Sequence, residues 1–414
     1  MKIITRSMIM LICCGLWTHL LQGVMIPAPK RTDYPPAVSF MIVDLKYDTD
    51  RLKICEFGEG FLSGFVGHQK LYGPGKIWKA WWAFVASLDR PVFLLNNQGG
   101  SVSFSSLYKP SKKNHPGPYA KNTLYACKGM AVSSWQDVVR VLPPIKTPSL
   151  DLNAVAVKFG SKKALKEYAT FANNKHGVAM VDHVSASFGL NKLYMHTLFA
   201  NDPVVKHFRP HCCLVDKNEI VDAVDSIKQE IPADAYVIKP VNAWKGMGIK
   251  ITSANDLKQT CTQLFSKNTE KNYSFWRGRR DVLVESLEHS KPLLVDGYPY
   301  DATMRVALGL AYVRGVVKMK VLGAYWKLPT ASLEKEESLE KTYISHIVPG
   351  KKIITSAMVD HVTMLAVERD LRVCMPHVYK KMVALKHHNI SIPALRDIVT
   401  NTAPKELVKQ LALL

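Results

Sequence analysis

The clearest signal along the chain is a repeated change in hydrophobic period. Ala37–Tyr47 and Leu52–Phe57 are apolar runs separated by Asp48-Thr-Asp-Arg51, and they predict a β-hairpin. A glycine-bearing stretch follows, then a Trp-rich helical segment over Ile77–Leu88 and a short buried strand over Pro91–Leu95. Gly99–Tyr119 is polar with Gly, Pro and Ser, and reads as a surface loop. From about residue 130 strand and helix alternate: helix Ser134–Val141, strand Val155–Phe159, helix Ser161–Asn173, strand Gly177–Asp182, helix Asn191–Ala200. Such alternation predicts an α/β unit built on a parallel sheet.

Further on, Asp216 with Glu219 three residues later has the form of a capping box, and Ile220, Val224, Ile227 and Ile231 recur at helical spacing. Strands are predicted over Tyr236–Val241, Ile249–Thr252 and Asp281–Leu287. Ser253 opens a helix with Leu257, Cys261, Leu264 and Phe265 on one face. Asp301–Leu310 and Arg314–Leu322 read as a long hairpin, and residues 351–414 as mainly helical. Trp78, Trp81 and Trp82 lie at helical spacing and read as core.

Composition narrows the class. The 414 residues are 47% hydrophobic, which excludes a disordered chain, and the length suits about two to three domains, each able to bury a core. With 55 Lys+Arg against 34 Asp+Glu, the formal charge is +21, so polyanions or acidic substrates are the natural partners. Helix-turn-helix, RNA-recognition and zinc-finger patterns are missing, which disfavours nucleic acid but leaves it as the rival class. Eight cysteines without a C-x-x-C pair make neither a disulfide framework nor a zinc site. Lys2 and Arg6 precede the apolar run Met8–Trp17, so residues 1–25 resemble a secretory signal peptide with a poor cleavage site. Export is expected over a cytoplasmic location on that basis, with residues 26–37 an extended linker.

The chemistry-bearing segment begins at Tyr236-Val-Ile-Lys239-Pro-Val-Asn-Ala-Trp-Lys-Gly246-Met-Gly248. A lysine ends an apolar strand, and a glycine loop follows. Glycines let backbone N–H groups approach phosphate oxygens closely, and the lysine fixes a cation beside them. It is not a Walker A loop, since no helix follows directly; an ordinary turn with a solvated lysine is the plain alternative. About forty residues on come Asp281-Val-Leu-Val-Glu285-Ser-Leu287-Glu288 and Lys291-Pro-Leu-Leu-Val-Asp-Gly297-Tyr-Pro-Tyr-Asp301-Ala-Thr-Met-Arg305.

This order resembles the ATP-grasp superfamily, and locally its tubulin–tyrosine ligase branch, over roughly residues 188–348. It departs by two extra residues between Asp301 and Arg305. The resemblance implies an ATP-grasp fold, two α+β subdomains clasping a nucleotide. Lys192 and Lys239 would hold ATP phosphates with the Gly246 and Gly248 loop. Glu285 would accept from the adenine amino group, with the backbone to Leu287 matching the ring edge, and Glu288 would hold the ribose. Asp301, Thr303 and Arg305 would share one strand face, as would Lys318 and Lys320 on the next strand. Arg305 and Lys318 would stabilise charge on a transferring phosphoryl group. The plain alternative is a solvated basic sheet face.

The acidic metal ligands expected after these strands are missing downstream, but Asp44 and Glu56, twelve positions apart across a turn, have the family's form at the other end of the chain. Two carboxylates on paired strands can bridge Mg²⁺; a plain hairpin with an exposed acid is the alternative. The order, and the segment Gly323-Ala-Tyr-Trp-Lys-Leu328, resemble circularly permuted ATP-grasp proteins of the glutathionylspermidine synthetase type, except that Gly58 stands where the family has Asn, with Glu59 the next acid. The implied layout is a metal hairpin and helix over 26–88, a Rossmann-like α/β domain over 89–187, and a nucleotide-binding half with C-terminal helices over 188–414. The implied activity is an ATP- and Mg²⁺-dependent carboxylate–amine or carboxylate–thiol ligase acting on a small-molecule or peptide carboxylate; a catalytically degenerate nucleotide-binding protein is the alternative.

Overall fold

A computed structural model of the chain describes residues 34–49, 51–59, 65–90, 92–95, 123–124, 151–158, 177–188, 192–199, 202–241, 248–265, 276, 280–344 and 355–388. The signal-like segment, the loop expected over Gly99–Tyr119, the helices expected over Ser134–Val141 and Ser161–Asn173, Gly246, and the chain after residue 388 lie outside the described residues.

The predicted hairpin forms as β1 (Ala37–Asp48) and β2 (Arg51–Glu59), with Thr49 in its turn at positive φ. Two helices follow, α1 (Val66–Tyr72) and α2 (Lys76–Ala86). Strands β3 (Val92–Leu95), β4 (Thr123–Leu124), β5 (Ala154–Lys158) and β6 (Val178–Met180) pair in parallel in the order β4-β3-β5-β6. The parallel pairing therefore starts earlier than residue 130. After α3 (Lys192–Phe199), the elements β7 (Cys212–Asp216), α4 (Val224–Glu230), β8 (Ala235–Pro240), β9 (Lys250–Ser253), α5 (Leu257–Phe265) and β10 (Asp281–Ser286) build an antiparallel sheet ordered β7-β10-β8-β9. A small ribbon, β11 (Leu293–Val295) and β12 (Tyr298–Tyr300), leads into β13 (Thr303–Val313) and β14 (Val316–Lys327). Then come α6 (Leu339–Tyr343), β15 (Ser356–Ala357) and the long α7 (His361–His387).

The capping box at Asp216 does not form. Asp216 ends β7 instead, where its carboxylate accepts from the Asn218 amide at 3.0 Å and pairs with Arg280 at 2.5 Å; helix α4 starts only at Val224. The local Asx turn outcompetes the cap for the same oxygen. At α7 the opposite holds, since Asp360 caps the helix by accepting from the Thr363 amide at 2.8 Å.

The largest sheet has five antiparallel strands ordered β15-β14-β13-β1-β2, so β1 lies between β2 and β13. One face is largely apolar, with Ser39 accepting a hydrogen bond from Tyr379 Oη at 2.8 Å among the hydrophobic side chains. Met41, Val43, Leu45, Val306, Leu308 and Leu310 pack under Val367, Leu371, Met375 and Val378 of α7. Each such side chain contributes roughly 1.5–3 kcal/mol relative to exposure. The opposite face is divided. At one end Phe40 stacks on Phe65 and on Trp81 of α2, with ring centroids 5.7 and 5.1 Å apart. Towards the other end the same period of two places Asp44 and Lys46 on β1 and Arg305 on β13.

At the apolar end α2 approaches β13 so closely that a Cβ on Gly309 would lie 2.5 Å from Cδ1 of the buried Phe84 ring. Gly309→Ala is expected to destabilise the protein by about 1–3 kcal/mol, as overpacking does, read as a lower urea midpoint at unchanged slope.

Candidate functional site

The charged half of the five-stranded sheet is a transverse row. Glu56 is the register partner of Asp44, Asp44 of Arg305, and Arg305 of Tyr325. Two bulges set this row. On β2 the register passes from Leu45 opposite Ile54 to Asp44 opposite Glu56, so Cys55 is the extra residue and Glu56 turns to the face of Asp44. On β14 it passes from Leu308 opposite Val321 to Ala307 opposite Gly323, so Leu322 is extra and Tyr325 and Lys327 are brought opposite Arg305 and Thr303.

Asp44, 5% exposed, is fully engaged. Arg305 donates from Nε at 2.8 Å and from Nη2 at 2.7 Å, and Lys327 Nζ donates at 2.7 Å. Burial opposes ionisation of this carboxyl, but Arg305 and Lys327 outweigh it and hold it far below the usual carboxylate range. Burial, then the neighbouring Arg305, pushes the Lys327 ammonium down. Beside this group Lys46 Nζ donates to the Asp301 carboxylate at 2.6 Å and to its carbonyl at 3.0 Å, and the same carboxylate meets His289 Nδ1 at 2.7 Å and accepts from the Ser290 amide at 3.1 Å.

The four-stranded sheet contributes a second buried group. Glu285 on β10, 1% exposed, is paired with both Lys239, at the end of β8, and Arg209, in the segment before β7. Burial works against the Glu285 charge, and Arg209 and Lys239 overcome it, so the carboxyl lies below its ordinary value. Arg209 also ties the two sheets together. Its Nη1 donates to the carbonyls of Ile54 at 3.0 Å and Cys55 at 3.4 Å, on the bulge of β2.

Lys192 stands between these groups at the start of α3. Its amide donates to Val241 at 2.9 Å, and its ammonium lies 3.9 Å from Glu56. Burial lowers its affinity for a proton, and Glu56, Lys239, Glu285 and Arg209 all act on it electrostatically. Lys192, Lys239 and Glu56 thus face common ground, although they come from three distant parts of the sequence. Among the described residues, six cations (Lys46, Lys192, Arg209, Lys239, Arg305, Lys327) stand here against four carboxylates (Asp44, Glu56, Glu285, Asp301). A largely buried cluster with surplus positive charge is suited to an anion.

The structure shows what company several of the expected residues keep. Glu285 is turned inward to two cations rather than offered to a ring, because burying Lys239 and Arg209 without a counter-charge costs several kcal/mol. The amides expected to match a ring edge are already used: Ser286 donates to His211 at 2.8 Å and Leu287 to Ala235 at 2.9 Å. Glu288 is half-buried and accepts from Ser286 Oγ at 2.7 Å. Asp301 precedes β13 and is held by Lys46, which lies on the sheet face of Asp44 and Arg305. Lys318 and Lys320 are exposed on β14, on the far side of the Leu322 bulge from the row; Lys318 is the register partner of Ala311, six positions along β13 from Arg305.

The Mg²⁺ ligand pair also fails the chemical test. Asp44 and Glu56 do lie opposite each other, but both Asp44 oxygens already accept bonds from cations. Among the described residues no three His, Cys, Asp or Glu side chains gather closely enough to hold a metal ion. Gly248 has φ 72°, a value glycine adopts without strain.

Lys46, Arg209 and Lys327 were not marked by the sequence patterns. Lys46 was within reach, two positions from Asp44 on the same strand. Lys327 ends a strand as Lys239 does. Arg209 sits in an aperiodic segment beside Pro210 and gives no local sign.

Neither a protein-family model nor a curated protein sequence matches the chain. Solved structures do. A protein from Methylobacillus flagellatus KT described as a gamma-glutamylcysteine synthetase has 9% identity over 86% of this chain and 91% of its own, with a TM-score of 0.39. D-alanyl-alanine synthetase A from Vibrio cholerae has 11% identity over 56% of this chain and 64% of its own, at 0.28. A RimK domain protein ATP-grasp from Sphaerobacter thermophilus has 14% identity over 45% of this chain and 78% of its own, at 0.23. At these scores the overlaps are loose, and function has to be read from the chain's own residues.

Proposed function

We propose that the chain is an ATP-dependent ligase that joins a carboxylate to an amine or a thiol through an acyl phosphate. The observation that carries this reading is the cationic cluster, where Lys192, Lys239 and Arg209 meet the Arg305–Lys327 row across two antiparallel sheets. In this reading Lys192 and Lys239 hold phosphate oxygens, with the loop through Gly246 and Gly248, and Glu288 takes the ribose. Arg305 and Lys327 stabilise charge as the γ-phosphoryl group passes to a carboxylate oxygen of the substrate, with ADP leaving. The amine or thiol then attacks the acyl carbon, loses its proton, and expels phosphate. The substrate is a peptide or amino-acid carboxylate. Circular permutation is part of the proposal, supported by β1, early in the chain, pairing with β13.

A second reading, a nucleotide-binding protein without catalysis, is favoured by one observation: Glu285 and Asp44 each hold two of the cations in question. The deciding assay measures ADP and phosphate release from ATP with panels of carboxylates and amines, with hydroxylamine to trap acyl phosphate as hydroxamate. Carboxylate-dependent ADP and hydroxamate formation is expected. Lys239→Met is expected to lower kcat/KM by about 10²-fold and Lys318→Met by less than about threefold. Nucleotide bound but never consumed would establish the second reading, and a salt-dependent gel shift that ATP does not compete would establish a nucleic-acid partner.

A further inference from the structure

The acidic hairpin supports an inference that rests on the nucleotide reading and goes beyond it. A divalent ion bound by two carboxylates needs oxygens turned toward it and not already neutralised. Asp44 does not meet that condition, because it accepts three charge-assisted bonds at 2.7–2.8 Å from Arg305 and Lys327. Glu56, 38% exposed at its side chain, has Lys192 at 3.9 Å instead. An ion held between Asp44 and Glu56 would sit within a few ångströms of two or three fixed cations, and that repulsion is large wherever water is excluded.

We infer that this charged cluster takes a polyphosphate without a protein-held divalent ion, with Arg305 and Lys327 standing where metal charge would otherwise act. Guanidinium suits the role, since its fork of donors matches carboxylate and phosphate oxygens alike and stays charged. Asp44 fixes both cations in place while neutralising only part of their charge. Free ATP carries more negative charge than its magnesium complex, so it meets the surplus of cations at least as favourably. Added Mg²⁺ then screens the ligand and weakens binding, or leaves it unchanged.

The test is calorimetric titration of the full chain with ATP in EDTA, with ATP in excess MgCl₂, and with inorganic tripolyphosphate in EDTA. The expected result is an ATP affinity in EDTA equal to that in Mg²⁺ within about threefold, or tighter. Tightening by Mg²⁺ of about tenfold or more overturns the inference. Tripolyphosphate binding without ATP binding would remove the nucleotide reading and leave the metal-free anion site standing, whereas binding of neither removes both. Lys327→Met keeps the Arg305 pair with Asp44 and so preserves the row. In EDTA it is expected to lose about tenfold in affinity, with part of the loss recovered in Mg²⁺ as the less neutralised Asp44 and Glu56 accept the ion. Wild-type affinity in EDTA, from a variant with an unchanged thermal midpoint, counts against the row as the anion site.

Discussion

Glu285→Gln should lower the stability of the protein by about 3–5 kcal/mol, the cost of removing one partner from a buried charge cluster. The substitution keeps the shape of the side chain but strands Arg209 and Lys239, both buried and both paired with this carboxylate. A urea midpoint shifted by less than the equivalent of about 1 kcal/mol would mean that water reaches the cluster and that Glu285 is not its keystone. Acid titration gives the same question a sign. The folded Glu285 carboxyl lies below its ordinary value, so its stabilisation is complete above the unfolded value of about 4.3 and is lost as pH falls through the folded one. Wild-type stability should therefore drop on acidification below about pH 4, and that part of the drop should be missing from Glu285→Gln.

Asp44→Asn should have the second largest effect, and it separates the two roles the residue can have. Asparagine cannot offset two cations, so Arg305 and Lys327 are left facing each other on neighbouring strands, at a cost of about 2–4 kcal/mol. Both cations also become more available to an anion. Tripolyphosphate or ATP in EDTA should bind about tenfold more tightly to the variant. Under the metal-ligand role the same substitution would weaken ATP binding in Mg²⁺ and leave binding in EDTA alone. The two expectations differ in direction, so partial misfolding cannot imitate both.

The fold was legible where local rules govern. The turn Asp48–Arg51 between two apolar runs marked the hairpin, the Trp-rich period marked α2, and the apolar run before Lys239 marked β8. Asp44 and Glu56 were read as an opposed pair, and they are register partners. What they do there was not legible, because the partners of Asp44 lie 261 and 283 positions away in the sequence. Bulges were a second blind spot. A period-of-two count along β14 favours Lys318 and Lys320, but the extra residue Leu322 resets the count and places Lys327 at the row. The third was the segment Glu285–Leu287, where side chain and amides are consumed by sheet pairing and by Arg209, whose position follows from no repeat.

The placement of β1 between β2 and β13 bears on how the protein is made. When the hairpin leaves the ribosome, the flank of β1 that faces β13 carries Phe40, Met41, Ile42 and Val43 with no strand to meet, since their partners are Gly309, Leu308, Ala307 and Val306. At typical elongation rates the wait for those residues is roughly 13–50 s, far longer than hairpin closure. Over that interval the nascent chain exposes an apolar, pairing-competent ribbon, so its yield in cells should depend on holdase chaperones and on translation speed between codons 60 and 300 more than on the stability of the finished molecule.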